Sequence, residues 1–254
     1  MNYTRETFLI ANWKMHKTVE EGRAFARELV RRLENVSPKH QLIICPTALS
    51  LWAVGQELAT SPVMLGAQNL DLGREGALTG ALSGYLIREA GARWVIVGHS
   101  ERRNLFGETD ALIGQKVAQA FEAHLRPILC VGESLDDYRS GQTFAVITRQ
   151  IEAIFPYTNS EVLKSLVVAY EPVWAIGSGE VPEPKQANEV AGLIRQILSK
   201  QISDDANTVP VLYGGSVSSN NIHQFLEQAH IDGSLVGGAS LQVDEFLKMA
   251  DIGH

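Results

Sequence analysis

Strand-like apolar runs begin near Phe8, Gln41, Val63, Trp94, Arg126, Ser165, Val209 and Gly233, one about every 32 residues, which is the length of one βα unit. Between them lie segments of helical period. Thr18 and Glu21 form a possible capping box, and Phe25, Leu29 and Leu33 then recur every four residues along one face. Comparable patterns run over about 47–58, 110–124, 143–155, 185–202, 219–228 and 240–250, with a short one around 83–90. Eight alternating units favour a single-domain (β/α)8 barrel over residues 1–254, with eight parallel strands and outer helices. A doubly wound open sheet is the competitor. It is weakened because residues 12–16, the turn after the first strand, contain no glycine, so the dinucleotide fingerprint is absent, and no Gly-x-x-x-x-Gly-Lys-Ser/Thr loop occurs.

Composition bounds this picture without identifying it. A chain of 254 residues, 45% hydrophobic and 20% charged, can bury one substantial core, as one α/β barrel or two small domains. No low-complexity tract or charge run marks a linker, and the Pro182 to Pro184 patch reads as the end of a loop before a helix. The first residues lack a basic region followed by a long apolar stretch, and no apolar run approaches the roughly 20 residues needed to span a membrane. A cytoplasmic location is expected. The formal charge of -7 argues against nucleic acid or an anionic membrane as partner. A small anionic ligand stays compatible, because local donors outweigh net charge at contact distance. Cys45 and Cys130 lie in apolar runs and read as small buried thiols, and two cysteines are too few for a cysteine-based zinc site.

Chemistry in a parallel barrel collects at the carboxyl ends of the strands. The first strand ends in Asn12-Trp13-Lys14, the fourth in Gly98-His99-Ser100-Glu101, the seventh in Tyr213-Gly214-Gly215-Ser216 and the eighth in Val236-Gly237-Gly238-Ala239-Ser240. After the sixth, Glu171 is followed by Pro172 and an apolar loop that reaches Gly177 and Gly179. Pro172 biases Glu171 toward extended geometry, and the glycines free the far end of the loop. That is the plan of a catalytic base under a lid, although a solvated acid beginning an ordinary turn has the same pattern. Glycine pairs at the last two strand ends suit a phosphate, offering unhindered N–H groups and a helix start. Tight turns needing positive φ would use glycine equally.

These segments, in this order and spacing, resemble the triosephosphate isomerase family over essentially the whole chain. The strongest matches are Asn12-Trp13-Lys14, Gly98 to Arg103, Ala169 to Gly179, Tyr213 to Ser216 and Leu235 to Leu241. The resemblance implies a TIM barrel that interconverts dihydroxyacetone phosphate and D-glyceraldehyde 3-phosphate, a step of glycolysis and gluconeogenesis, as a homodimer without metal or organic cofactor. By position it implies Glu171 as the base, His99 as a neutral imidazole donor to the substrate oxygens, and Lys14 as a positive charge beside them. Asn12 would position substrate and Lys14, with Glu101 as partner of that lysine. Gly177, Ser216, Gly237 and Gly238 would grip the phosphate, largely through backbone N–H groups. The lid, from Pro172 to about Pro182, would close over it and exclude water. Glu133 and Trp174 would hydrogen-bond to each other in one lid state.

Two departures stand out. The interface loop, Gly76 to Ser83, carries Ala81 where the family normally has a glutamate, which puts in doubt an ion pair across the dimer with Arg102. Docking of Thr79 and apolar burial remain to hold the dimer, since an exposed ion pair is worth only about 0 to 1 kcal/mol. The distal hinge, Glu180-Val181-Pro182, also differs from the commoner lysine-threonine-alanine type, and Pro182 narrows its conformational range. Rival readings are another phosphate-binding barrel, such as a sugar-phosphate epimerase or an indole-pathway isomerase, and a silent barrel that merely binds a triose phosphate.

Overall fold

The computed structural model describes residues 5–176 and 181–251. Its strands are β1 (Phe8–Asn12), β2 (Gln41–Cys45), β3 (Met64–Ala67), β4 (Trp94–Val97), β5 (Arg126–Val131), β6 (Val167–Tyr170), β7 (Val211–Tyr213) and β8 (Gly233–Val236). They close in sequence order into one barrel, and each neighbouring pair is parallel. The open sheet is thereby excluded.

Burial on both faces explains why the strands read as unbroken apolar runs. Phe8, Ile10, Ile43, Cys45, Trp94, Ile96, Ile128 and Cys130 fill the barrel interior. Leu9, Ala11, Leu42, Ile44, Val95 and Val97 alternate with them and pack beneath the helices. The last seam closes at Phe8 opposite Gly233. Here φ is +147°, and an added Cβ would lie 1.9 Å from the Phe8 carbonyl oxygen, so only glycine permits the closure. Cys45 and Cys130 are free and fully buried, and burial pushes both thiols up.

The helices cover the outside. The helix Val19–Arg32 starts with the expected capping box: Glu21 donates its N–H to Thr18 Oγ1 at 3.3 Å, and Thr18 donates its N–H to Glu21 Oε2 at 2.7 Å. Phe25 and Leu29 face the core, with Leu33 at the C-cap. The helices Asp110–Glu122, Thr143–Glu152 and Pro184–Ile202 follow their expected segments closely.

Elsewhere the helical periods overreach. Residues 48–50 form a turn, and the second helix begins only at Leu51. The segment 219–228 is helical only over Ile222–Leu226, because Ser219 is drawn aside to donate its N–H and hydroxyl to Glu245. The segment 240–250 splits into a 3-10 turn, Gly238–Leu241, and the helix Val243–Met249. Three short helices, Ser100–Phe106, Leu135–Arg139 and Ser160–Ser165, lack a sustained apolar stripe and so give no period to read. Among the described residues, no helix is long and apolar enough to cross a membrane.

Candidate active site

Lys14 sits two residues past β1 in a left-handed conformation, φ +52°, which costs a lysine about 1 kcal/mol. Local hydrogen bonds hold it there. Its N–H donates to Asn12 Oδ1 at 3.0 Å, and its carbonyl accepts from Gln68 Nε2 at 2.8 Å. Gln68 also donates to the Cys45 carbonyl at 2.9 Å, tying the lysine to the end of β2. The ammonium reaches Glu101 Oε1 at 2.7 Å. Partial burial pushes the Glu101 carboxyl up, but the hydrogen bond and positive charge of Lys14 outweigh this and hold it below the ordinary glutamate range.

His99 leaves β4 as the N-cap of the helix Ser100–Phe106, and its Nδ1 accepts the backbone N–H of Glu101 at 3.2 Å. A backbone donor at Nδ1 places the ring proton on Nε2. That nitrogen lies 3.0 Å from Glu171 Oε1. Glu171 follows β6 directly, is 2% exposed, and accepts the Ser100 N–H on Oε2 at 2.9 Å. The carboxylate therefore rests on two donors that belong to the β4 end.

Lys14, His99 and Glu171 line one cavity of about 260 Å³ together with Asn12, and its wall from β7 and β8 is formed by Gly214, Gly215, Ser216, Gly237 and Gly238. Gly214 is required there, since an added Cβ would stand 2.8 Å from Glu171 Cγ. Among the described residues, no protein acceptor meets the N–H groups of Ser216, Gly237 and Gly238. The helix opened by Gly237 and Gly238 is only the four-residue 3-10 turn. An anion placed here would meet free amides and Lys14, whose Nζ lies 3.9 Å from a Cβ built on Gly237, and no long helix dipole. The Ser216 hydroxyl is occupied, donating to the Ala175 carbonyl at 2.6 Å.

Glu133 and Trp174 stand outside this cavity as a pair of their own. Trp174 Nε1 and the Tyr170 hydroxyl both donate to Glu133 Oε1, at 2.8 Å and 3.1 Å, and Tyr138 stacks on the indole at 4.2 Å. Burial pushes the Glu133 carboxyl up despite the donors from Trp174, Tyr170 and Thr143. Gly177, assigned to the phosphate grip, and Glu180 of the distal hinge lie outside the described residues, as does the middle of the lid.

Two contributors were not singled out from the sequence. Gln68 stands one residue past β3, where the same attention to polar residues at strand ends would have found it. Ser100 acts through its main chain, which no residue type announces. Among the described residues, no group of three or more His, Cys, Asp or Glu side chains could hold a metal ion.

The triosephosphate isomerase family model matches residues 7–253. A triosephosphate isomerase of Synechococcus sp. is 45% identical over 251 residues, covering 97% of this chain and 95% of its own length. That of Carboxydothermus hydrogenoformans is 44% identical over 243 residues, covering 95% and 96%. One from Dictyoglomus thermophilum is 42% identical, covering 95% and 97%.

Trp174→Phe keeps the aromatic stack but removes the 2.8 Å donor from a fully buried carboxylate. The variant should lose about 1–3 kcal/mol of stability near neutral pH in thermal unfolding. Glu133 already has a raised folded pKa, so this extra penalty is fully present once the carboxyl is ionised. It shrinks as pH falls through the raised folded pKa, and is gone once the folded carboxyl is protonated; the unfolded value is the same in both proteins and cancels. An equal loss at pH 7 and pH 4 would contradict it.

Proposed function

The chain belongs to the triosephosphate isomerase family and interconverts dihydroxyacetone phosphate and D-glyceraldehyde 3-phosphate, and we propose that Glu171, His99 and Lys14 carry the proton transfer. Glu171 takes a proton from the hydroxymethyl carbon and returns it to the neighbouring carbon. The hydroxyl proton passes between the two substrate oxygens at His99 Nε2, so the enediolate forms and collapses with all atoms conserved. A proton beside a carbonyl is barely acidic unless the oxyanion is stabilised as it develops, and one fixed donor in a dry site contributes about 3 kcal/mol to that. Lys14 adds its charge to the same oxygens.

The observation that carries this reading is the shared cavity: imidazole, carboxylate and ammonium face one space walled by free amides. The Nε2–H that His99 now gives to Glu171 is the donor a substrate carbonyl would take over, leaving the carboxylate free to act as base. Ser216, Gly237 and Gly238 hold the phosphate, which explains how a protein of charge -7 binds a dianion. Gly177 completes that grip, and the Pro172 to Pro182 loop keeps water from an enediolate that could otherwise expel phosphate. A silent binding barrel would have no use for a buried carboxylate placed against an imidazole.

The same reading makes the protein a cytoplasmic homodimer. A second cavity of about 260 Å³ shares Asn12, Lys14 and His99 with the first and runs outward to Met15 and Phe106. Around it Met15, Leu49, Leu86, Leu105 and Phe106 are exposed by 62% or more, a surface that a second copy would cover with its Thr79 loop. Arg102 donates from Nε to Glu108 Oε1 at 2.6 Å and lies 4.4 Å over Phe106. It is therefore satisfied within its own chain, which accommodates Ala81 in place of an acidic partner.

Glu171→Asp withdraws the carboxylate by about 1 Å and should lower turnover about 100-fold in a coupled assay with the fold intact. Equal turnover in both proteins would defeat the assignment. In sedimentation velocity at micromolar concentration the chain should run as a dimer, and a predominantly monomeric boundary would overturn the interface.

A further inference from the structure

A second set of polar side chains surrounds the main chain that carries Glu171, outside the substrate cavity. The strand ladders end at Val97, Val131 and Tyr170, so the peptides just beyond them need other partners. Two side chains, Gln150 buried and Arg103 half-buried, supply these partners. Gln150, 5% exposed on the helix Thr143–Glu152, accepts the Gly132 N–H on Oε1 at 2.8 Å and donates from Nε2 to the Gly132 carbonyl at 3.0 Å. One amide thus holds both polar groups of a single residue, as a neighbouring strand would. Gly132 in turn is pressed against Glu171: an added Cβ would lie 1.7 Å from the Glu171 carbonyl oxygen, and the Glu171 N–H donates to the Val131 carbonyl at 2.7 Å.

Arg103 spans the other side. It donates from Nε to the Gly98 carbonyl at 2.7 Å, from one terminal nitrogen to the Cys130 carbonyl at 3.0 Å, and from the other to Asp110 Oδ1 at 2.6 Å. Asp110 Oδ2 also accepts from Arg149 at 3.0 Å, the residue next to Gln150, so the two clamps share a support. Gly98 precedes His99, and Cys130 and Gly132 flank the residue that receives the Glu171 N–H. Both Arg103 and Gln150 line a separate cavity of about 380 Å³, away from the phosphate wall.

We propose that Gln150 and Arg103 are positioning residues for the proton transfer, fixing the peptides after β4 and β5 so that the Glu171 carboxylate stands in register with His99. This rests on the role of Glu171 given above. Their contribution passes through the main chain, so it falls on turnover and leaves the grip on phosphate untouched.

The test is steady-state kinetics on Gln150→Met, which keeps the volume but loses both hydrogen bonds, and on Arg103→Lys, which keeps the charge against Asp110 but cannot hold two carbonyls with one rigid fork. Each should lower kcat about 10-fold or more, a fraction of an ångström at the base being enough, with KM within about 2-fold. In a Glu171→Asp background the base is already withdrawn, so each should lower kcat less than about 2-fold further. A merely structural pair would multiply with Glu171→Asp. Wild-type kcat in both single variants, multiplicative losses, or two proteins that do not fold at all would overturn the proposal. If only one variant folds, that variant decides. Unchanged turnover in Glu171→Asp alone would instead sink the role of Glu171, and the two failures are distinct.

Discussion

A closed ring of parallel strands sends every carboxyl end to the same rim, and the chemistry of this chain depends on that constraint. Lys14, His99 and Glu171 are far apart along the chain, yet each lies within two residues of the end of a strand, at β1, β4 and β6. Closure alone brings them to one cavity. The seam that completes the ring, Phe8 against Gly233, sets β8 beside β1 and with it Gly237 beside Lys14. The barrel interior is packed solid with Phe8, Ile10, Trp94 and Ile128, so these positions are held with little freedom.

The rim divides its labour. In the proposed reading, amides past β7 and β8 take the unreactive phosphate, and the imidazole and carboxylate past β4 and β6 meet the carbons and oxygens that change. Binding the phosphate stabilises ground state and transition state alike, and this frees the other groups to act on charge that appears only during the reaction. The arrangement at His99 is economical: one backbone N–H on Nδ1 sets which nitrogen carries the proton, and that nitrogen faces Glu171. A carboxylate resting on two donors also has somewhere stable to wait between turnovers.

Much of this was legible in the sequence because it depends on local pattern. Each strand starts within two residues of its apolar run, and the Thr18–Glu21 box marks the first helix correctly. What escaped is what pattern does not encode. Leu135–Arg139 buries nothing, so it shows no period, although Ser134 and Asp137 cap it as Thr18 and Glu21 cap the first helix. Gln150 looks like any polar residue on an amphipathic helix, yet it is buried against Gly132, just past the end of β5. The glycine pair after β8 was legible as a turn, but its 3-10 geometry was not, because four residues carry too little periodicity to distinguish the two helix types.

The most direct measurement is a crystal structure with a phosphate-bearing hydroxamate, which mimics the enediolate. The account predicts its oxygens at His99 Nε2 and Lys14 Nζ, its phosphate on the amides of Ser216, Gly237 and Gly238, and the Glu171 carboxylate released from Ser100 to face the reacting carbons. A mimic seated elsewhere, or one bound with Glu171 still resting on His99 and Ser100, would contradict it.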